Sequence, residues 1–148
     1  MPRELILEVP NDLRAIEDTV ALVVKRCEFC ESQARRLDFN FRVCLSEALA
    51  NAMLYGNRGD GGKRVRLEVT LGTNELRARV TDQGNGFDPA AIPDPTRPEN
   101  ITRPGGRGLF LMRKLMDEVF YNERGNSVTL VLRLDAGSAI EVDGAASA

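Results

Sequence analysis

The sequence predicts an α+β domain of two layers, a two-layer sandwich in which a largely antiparallel mixed sheet carries helices on one face. Apolar residues recur at three- and four-residue steps in some stretches and alternate with polar residues in others. The order along the chain is strand, helix, helix, two strands, a long loop, helix and two strands. That order suits helices gathered on one side of a meandering sheet.

Each element follows from its own pattern. Leu5 to Val9 reads as a short strand, stopped at Pro10-Asn11-Asp12, where Asp12 supplies an N-cap. A helix is expected from about Leu13, because Leu13, Ile16, Val20, Val23, Val24 and Cys27 form one stripe that runs on toward Arg35. Asp38 is expected to cap a second helix with the apolar face Phe41, Cys44, Leu45, Ala48, Leu49 and Ala52, ending near Gly56. Gly59-Asp60-Gly61-Gly62 is a turn, after which Val65, Leu67, Val69 and Leu71 alternate as a strand. Asn74 turns the chain into Leu76, Ala78 and Val80, and this strand delivers Asp82 just before Gly84 and Gly86.

Residues 85–104 hold five of the seven prolines and no hydrophobic period, which marks a loop long enough to serve as a lid. A third helix is expected after Gly108, with Leu109, Met112, Leu115, Met116 and Val119 on one face, followed by strands near 119–123 and 128–134. The expected organisation is one domain over residues 1–134, with the lid at about 85–104 and a flexible tail at 135–148.

Composition narrows the function classes. A chain of 148 residues with 43% hydrophobic and 28% charged residues has the size and balance of one globular domain. Its apolar runs are too short for a membrane span, and Met1-Pro2-Arg3-Glu4 does not open a secretory signal, so a soluble cytoplasmic protein is expected. A net charge of −2 without a dense Lys/Arg cluster gives no general attraction to nucleic acid. The absence of histidine removes His-based zinc sites, Ser-His-Asp triads and phosphohistidine chemistry. The three cysteines cannot all pair, and Cys27-Glu28-Phe29-Cys30 reads as two small apolar residues of the first helix rather than as a redox or zinc motif.

Three places carry residues suited to chemistry. Glu47 and Asn51 stand one helical turn apart and project side by side. An amide oxygen suits octahedral Mg²⁺ and a nearby carboxylate suits a base, although the pair also fits the solvent edge of an amphipathic helix. Asp82-Gln83-Gly84-Asn85-Gly86 ends a strand, where glycines permit close approach of a flat ligand and a carboxylate can accept a hydrogen bond from an exocyclic amine; taken by itself the motif reads more readily as a simple turn or a calcium-loop lookalike. Gly105-Gly106-Arg107-Gly108 next to a helix start presents backbone N–H groups to phosphate, with Arg107 able to add charge, or else it is a hinge. It matches neither the dinucleotide fingerprint nor the Walker loop.

Taken in order, these residues resemble the GHKL (Bergerat-fold) ATPases, and within them the anti-sigma factor serine/threonine kinases. Leu45-Ser46-Glu47-Ala48-Leu49-Ala50-Asn51-Ala52, with Tyr55-Gly56-Asn57, resembles the family's N-box; Asp82 to Gly86 resembles its first glycine box and Gly105 to Gly108 its second. The resemblance covers nearly the whole chain. It implies ATP and Mg²⁺ as cofactors, with Asn51 as the metal-binding residue, Asp82 reading the adenine amine, and Gly84 and Gly86 lining the base pocket. It further implies that Gly105, Gly106, Arg107 and Gly108 hold phosphates and that Glu47 is the catalytic base. The implied activity is phosphorylation of a Ser or Thr on an anti-sigma factor antagonist, with regulation of a sigma factor by partner switching and a homodimeric protein. The alternative is a non-catalytic switch module of the same fold. Two positions depart from the pattern: Tyr55 stands where many relatives have His, and Asn126 where the wider superfamily often has Thr.

Overall fold

A computed structural model describes residues 3–27, 37–84 and 106–134. The first strand, β1 (Arg3–Pro10), ends where Asp12 accepts a hydrogen bond from the Arg14 N–H at 2.9 Å and starts a 3₁₀ turn, Leu13–Ala15. That turn leads into helix α1 (Ile16–Cys27). Helix α2 (Arg42–Asn51) is extended at both ends by single π-type turns, Leu37–Phe41 and Ala52–Gly56. Strands β2 (Arg64–Leu71) and β3 (Glu75–Thr81) form a hairpin, helix α3 spans Gly106–Leu115, and strands β4 (Glu118–Tyr121) and β5 (Ser127–Arg133) close the order.

The five strands lie in the order β1-β2-β3-β5-β4. Every pairing among the described residues is antiparallel, so the mixed character expected from sequence is not found there. Register places apolar positions in rows across the sheet. Leu7 faces Leu67, Leu67 faces Val80, Val80 faces Val128 and Val128 faces Tyr121, and the row Leu5, Val69, Ala78, Leu130, Val119 runs beside it. Because side chains alternate along a strand, these rows share one face, and the helices cover that face. The opposite face is mostly polar, with Ile6, Phe120 and Val131 as apolar exceptions, and Arg66 pairs there with Glu8 at 3.0 Å in solvent, an exposed contact that adds little stability.

Helix α2 lies at the centre of the covered face. Phe41, Cys44, Leu45, Ala48 and Leu49, all on the stripe read from sequence, are buried, and so are Ala52 and Met53 in the turn that follows. They share one core with Val20 and Val23 of α1, with Leu109 and Met112 of α3 and with Leu67, Leu76, Val80, Leu130 and Leu132 of the sheet. Cys27 and Cys44 are buried free thiols within this core. Burial pushes the Cys44 thiol up to about 12, with the negative charge of Glu47 adding to the effect, and burial likewise raises Cys27. Both behave as small apolar side chains rather than reactive nucleophiles. Cys30 lies outside the described residues, as do the expected lid, the tail and the stretch toward Arg35.

Three local expectations are corrected. Asp38 does not cap α2: the chain is already helical there, Phe41 occupies the cap position without a side-chain bond, and the Asp38 carboxylate instead pairs with Arg42 four residues on. Helix α3 starts at Gly106 rather than after Gly108, so Gly108 sits inside its first turn. Strand β4 ends at Tyr121 and β5 begins at Ser127, because the Asn122 side-chain oxygen collects the N–H groups of Gly125, Asn126 and Ser127 at 2.8, 3.1 and 3.2 Å and Gly125 turns with φ 80°. Among the described residues no helix is long and apolar enough to cross a membrane.

Leu49 is fully buried between sheet and helices. Leu49→Ala should lower unfolding stability by about 2–5 kcal/mol, the usual cost of a leucine-sized cavity, read as a lower urea midpoint with an unchanged slope.

Candidate functional site

The site is built where α2, the end of β3 and the start of α3 meet. Glu47 and Asn51 are half-buried, one turn apart on a side of α2 away from the sheet. Their neighbour across the groove is Gly108. A Cβ added at Gly108 would stand 2.5 Å from Glu47 Oε1 and 3.2 Å from Asn51 Nδ2, so the absence of a side chain is what lets α3 begin against these two groups. The first-turn N–H groups of a helix have no partner within it and carry partial positive charge. A carboxylate, an amide and a helix N-terminus therefore share one small space.

The second contact lies further along the same chain, in the turn that ends the helix. Gly56 is five residues beyond Asn51, about 7.5 Å along at ordinary helical rise. A Cβ on Gly56 would fall onto the Asp82 carboxyl group, and one on Gly84 would fall onto the Gly56 carbonyl. Two glycines thus let the loop after β3 close directly onto the end of α2. The Asp82 carboxylate accepts a hydrogen bond from the Gly84 N–H through Oδ1 at 2.8 Å, and among the described residues no other donor reaches it. Burial pushes its pKa above the ordinary value, opposed by the Gly84 bond and by the positive charges of Lys63 and Arg124.

The backbone around Asp82 is clamped from both sides. Its N–H donates to the Asn126 carbonyl at 2.9 Å, and Asn126 Nδ2 returns a bond to the Asp82 carbonyl at 3.3 Å. Asn126 is itself held by Asn122 at 2.8 Å. On the opposite side the next N–H, of Gln83, donates to Asn57 Oδ1 at 2.7 Å.

Of the residues predicted from sequence, Glu47, Asn51 and Gly108 come together at one end of the groove, and Asp82 and Gly84 at the other. Gly106 and Arg107 open α3, while Gly86 and Gly105 lie outside the described residues. Tyr55 is half exposed at the end of the helix, and Asn126 stands directly against the Asp82 backbone. Asn57, Asn11, Gln83 and Asn122 were not picked out as site residues. Asn57 and Asn11 meet across 46 residues and Gln83 and Asn57 across 26, so nothing local marks these three, whereas Asn122 bonds within its own turn to residues three to five positions on.

No group of three or more His, Cys, Asp or Glu residues that could hold a metal by themselves occurs among the described residues. The donors present, one amide and one carboxylate beside a helix N-terminus, fit a hard cation that keeps several waters and is shared with phosphate oxygens.

This architecture, a helix-covered antiparallel sheet whose central helix presents Glu and Asn to the glycine-led start of another, is that of a histidine kinase-like ATPase domain. The chain belongs to that family, which matches residues 8–132. Among individual proteins it is similar to serine-protein kinase RsbW of Listeria monocytogenes, 30% identical over 98 residues, 62% of either chain. RsbW of Oceanobacillus iheyensis is 25% identical over 122 residues, 74% of this chain and 77% of that one. Serine/threonine-protein kinase BtrW of Bordetella bronchiseptica is 31% identical over 99 residues, 64% and 70% of the two chains. The chain spans 62% of the length of the Listeria relatives it matches.

The two close glycine contacts should respond differently to substitution. In Gly84→Ala the new methyl meets backbone, which cannot step aside, and melting temperature should fall clearly. In Gly108→Ala it meets the tip of a flexible glutamate, so melting temperature should be kept or rise slightly, since alanine favours a helix by about 1 kcal/mol over glycine. Equal losses in the two would contradict this geometry.

The raised Asp82 pKa has a definite sign. An acid whose folded-state pKa is raised stabilises the fold below its unfolded value, here 3.8, and loses that contribution as pH rises through the folded value. At neutral pH the charge on Asp82 therefore costs stability. Asp82→Asn, which keeps an acceptor for the Gly84 N–H, should melt higher than wild type at neutral pH, and the gap should close below pH 3.8. Calorimetric scans across that range check it; a gap that persists in acid would rule out burial of charge as the cause.

Proposed function

We propose that this chain binds ATP with Mg²⁺ and acts as a serine/threonine protein kinase on an anti-sigma factor antagonist, regulating a sigma factor by partner switching. The observation that carries the reading is the packing of Gly108 against Glu47 and Asn51, which puts a carboxylate, an amide and the first turn of a helix within one side chain's reach of each other. The names of the relatives, serine-protein and serine/threonine-protein kinases, support a protein hydroxyl as acceptor.

When bound, ATP with Mg²⁺ supplies an electrophilic phosphoryl group and the charge neutralisation that its transfer requires. The chain's own residues then divide the work. Asp82 would accept a hydrogen bond from the exocyclic amine of adenine through its second carboxylate oxygen, and Gly84 and Gly86 would line the base pocket. Asn51 holds the metal through its amide oxygen. Gly105, Gly106 and Gly108 offer backbone N–H groups to phosphate oxygens at the positive end of α3, and Arg107 adds a charge-assisted contact. Glu47 takes the proton of the incoming Ser or Thr hydroxyl, acting as general base. Catalysis is then mainly positioning and electrostatics. A homodimer in the cytoplasm, with the segment at about 85–104 closing over the nucleotide, belongs to the same reading.

The test has two parts. Calorimetry with ATP and Mg²⁺ should show saturable binding that Asn51→Ala weakens, most strongly when Mg²⁺ is present. With γ-labelled ATP and an antagonist protein, wild type should pass label to a Ser or Thr, whereas Glu47→Ala should retain ATP and transfer about 10²–10⁴-fold more slowly. Tight ATP binding without any transfer by wild type would leave a non-catalytic switch module; no binding at all would refute the proposal.

A further inference from the structure

Asn57 is fully excluded from solvent, with 0% exposure, and it is the largest polar side chain so buried among the described residues. A buried amide is costly unless all its hydrogen-bonding atoms find partners. Here they do, and the partners come from three different parts of the chain. Nδ2 donates to Asn11 Oδ1 at 3.1 Å, in the loop after β1, and to the Arg64 carbonyl at 3.0 Å, at the start of β2. Oδ1 accepts from the Gln83 N–H at 2.7 Å, in the loop after β3. Asn57 itself follows immediately on the turn that ends α2.

The connections close into a ring. Gln83 Oε1 accepts from the Arg64 N–H at 2.6 Å, so Asn57 and Gln83 grip the two sides of the same residue and also grip each other. The consequence falls on Asp82. Its own N–H is fixed by Asn126, and of the two bonds that hold the peptide unit joining residues 82 and 83, the one to its carbonyl, from Asn126 Nδ2, is the longer at 3.3 Å. That peptide carries the N–H that Asn57 holds. Its orientation also decides whether the Gly84 N–H can reach Asp82 Oδ1, the bond that sets which way the carboxylate faces. Aimed this way, the carboxylate occupies the space left by the missing side chain of Gly56.

We infer that Asn57 is a positioning residue for base selection: by holding the Gln83 N–H it locks the rotation of the Asp82 carboxylate, and with it the discrimination between purines that carry a 6-amino group and those that do not. The inference rests on the proposed role of Asp82 as the acceptor for adenine. It adds that the selectivity is set from the helix that carries Glu47 and Asn51, so that the base end and the metal end of the groove share one rigid element. Contacts to phosphate and metal, assigned to Asn51 and the start of α3 rather than to Asp82, are outside its action.

The experiment compares binding of ATP and of purine riboside 5′-triphosphate, which lacks the 6-amino group, by calorimetry with Mg²⁺. Wild type should prefer ATP by about tenfold or more, the value of one good hydrogen bond to a charged group. Asn57→Ala should bring the ratio of the two affinities close to one by weakening ATP, while affinity for purine riboside triphosphate changes little. Gln83→Ala, at an exposed side chain whose loss leaves the fold intact, should lower the same ratio by a smaller factor. A structural role alone would weaken both nucleotides together, and an equal loss in Asn57→Ala, or an unaltered ratio in both variants, would overturn the inference. If Asn57→Ala does not fold, Gln83→Ala decides, its ratio either falling or not. A wild type that binds ATP without preferring it over purine riboside triphosphate would instead remove the adenine role of Asp82, and the failure would belong to that earlier reading.

Discussion

The structure depends on helix α2 being buried on more than one side. Its face toward the sheet contributes Leu45, Leu49 and Met53 to the core, and α1 and α3 flank it. A helix so enclosed has little solvent face left, and its half-buried polar positions, Glu47 and Asn51, lie in a groove rather than on an open surface. Burial of the apolar face supplies the stability; the polar groups draw on it. This division explains how two hydrophilic side chains can be held in place within the helix that anchors the fold.

Close backbone approach is the second constraint, and glycine is its instrument. At Gly108 it lets α3 begin against the Glu47 carboxylate, and at Gly56 and Gly84 it lets the loop after β3 settle onto the end of α2. The glycines at 56 and 84 serve sterically, through the volume of an absent Cβ, and neither is among the residues with positive φ. Among the described residues the positive-φ positions lie elsewhere, at Arg58 and Gly59, where the chain leaves the helix, and at Gly125 in the turn between β4 and β5. The groove is thus bounded at both ends by close contacts, against a backbone carbonyl at Gly84 and against the movable end of a side chain at Gly108.

Asparagine supplies the polar counterpart. Asn57 and Asn126 grip the backbone on either side of Asp82, and Asn11 and Asn122 hold those two in turn. Because an amide side chain donates and accepts at once, each can bridge two peptide groups without introducing charge. The carboxylate of Asp82 is left with one bonded oxygen in a partly buried place, at a cost to the stability of the free protein that binding chemistry can use.

Much of this was legible in the sequence. The three-to-four spacing of Cys44, Leu45, Ala48 and Leu49 determined the buried face of α2, and the alternation of Val65, Leu67 and Val69 that of β2, because periodic burial leaves a periodic pattern. The pairing of Glu47 with Asn51 followed from helical geometry alone, and the glycines beside Asp82 and at 106–108 were visible as motifs. Only the tertiary structure decided what those glycines touch, that Asp38 turns to Arg42 instead of capping a helix, and that Asn57 reaches Gln83 and Asn11. The physical reason is range. Patterns within one element are written in neighbouring residues, whereas a missing Cβ or a buried amide acquires its meaning from atoms that the chain brings in from tens of residues away.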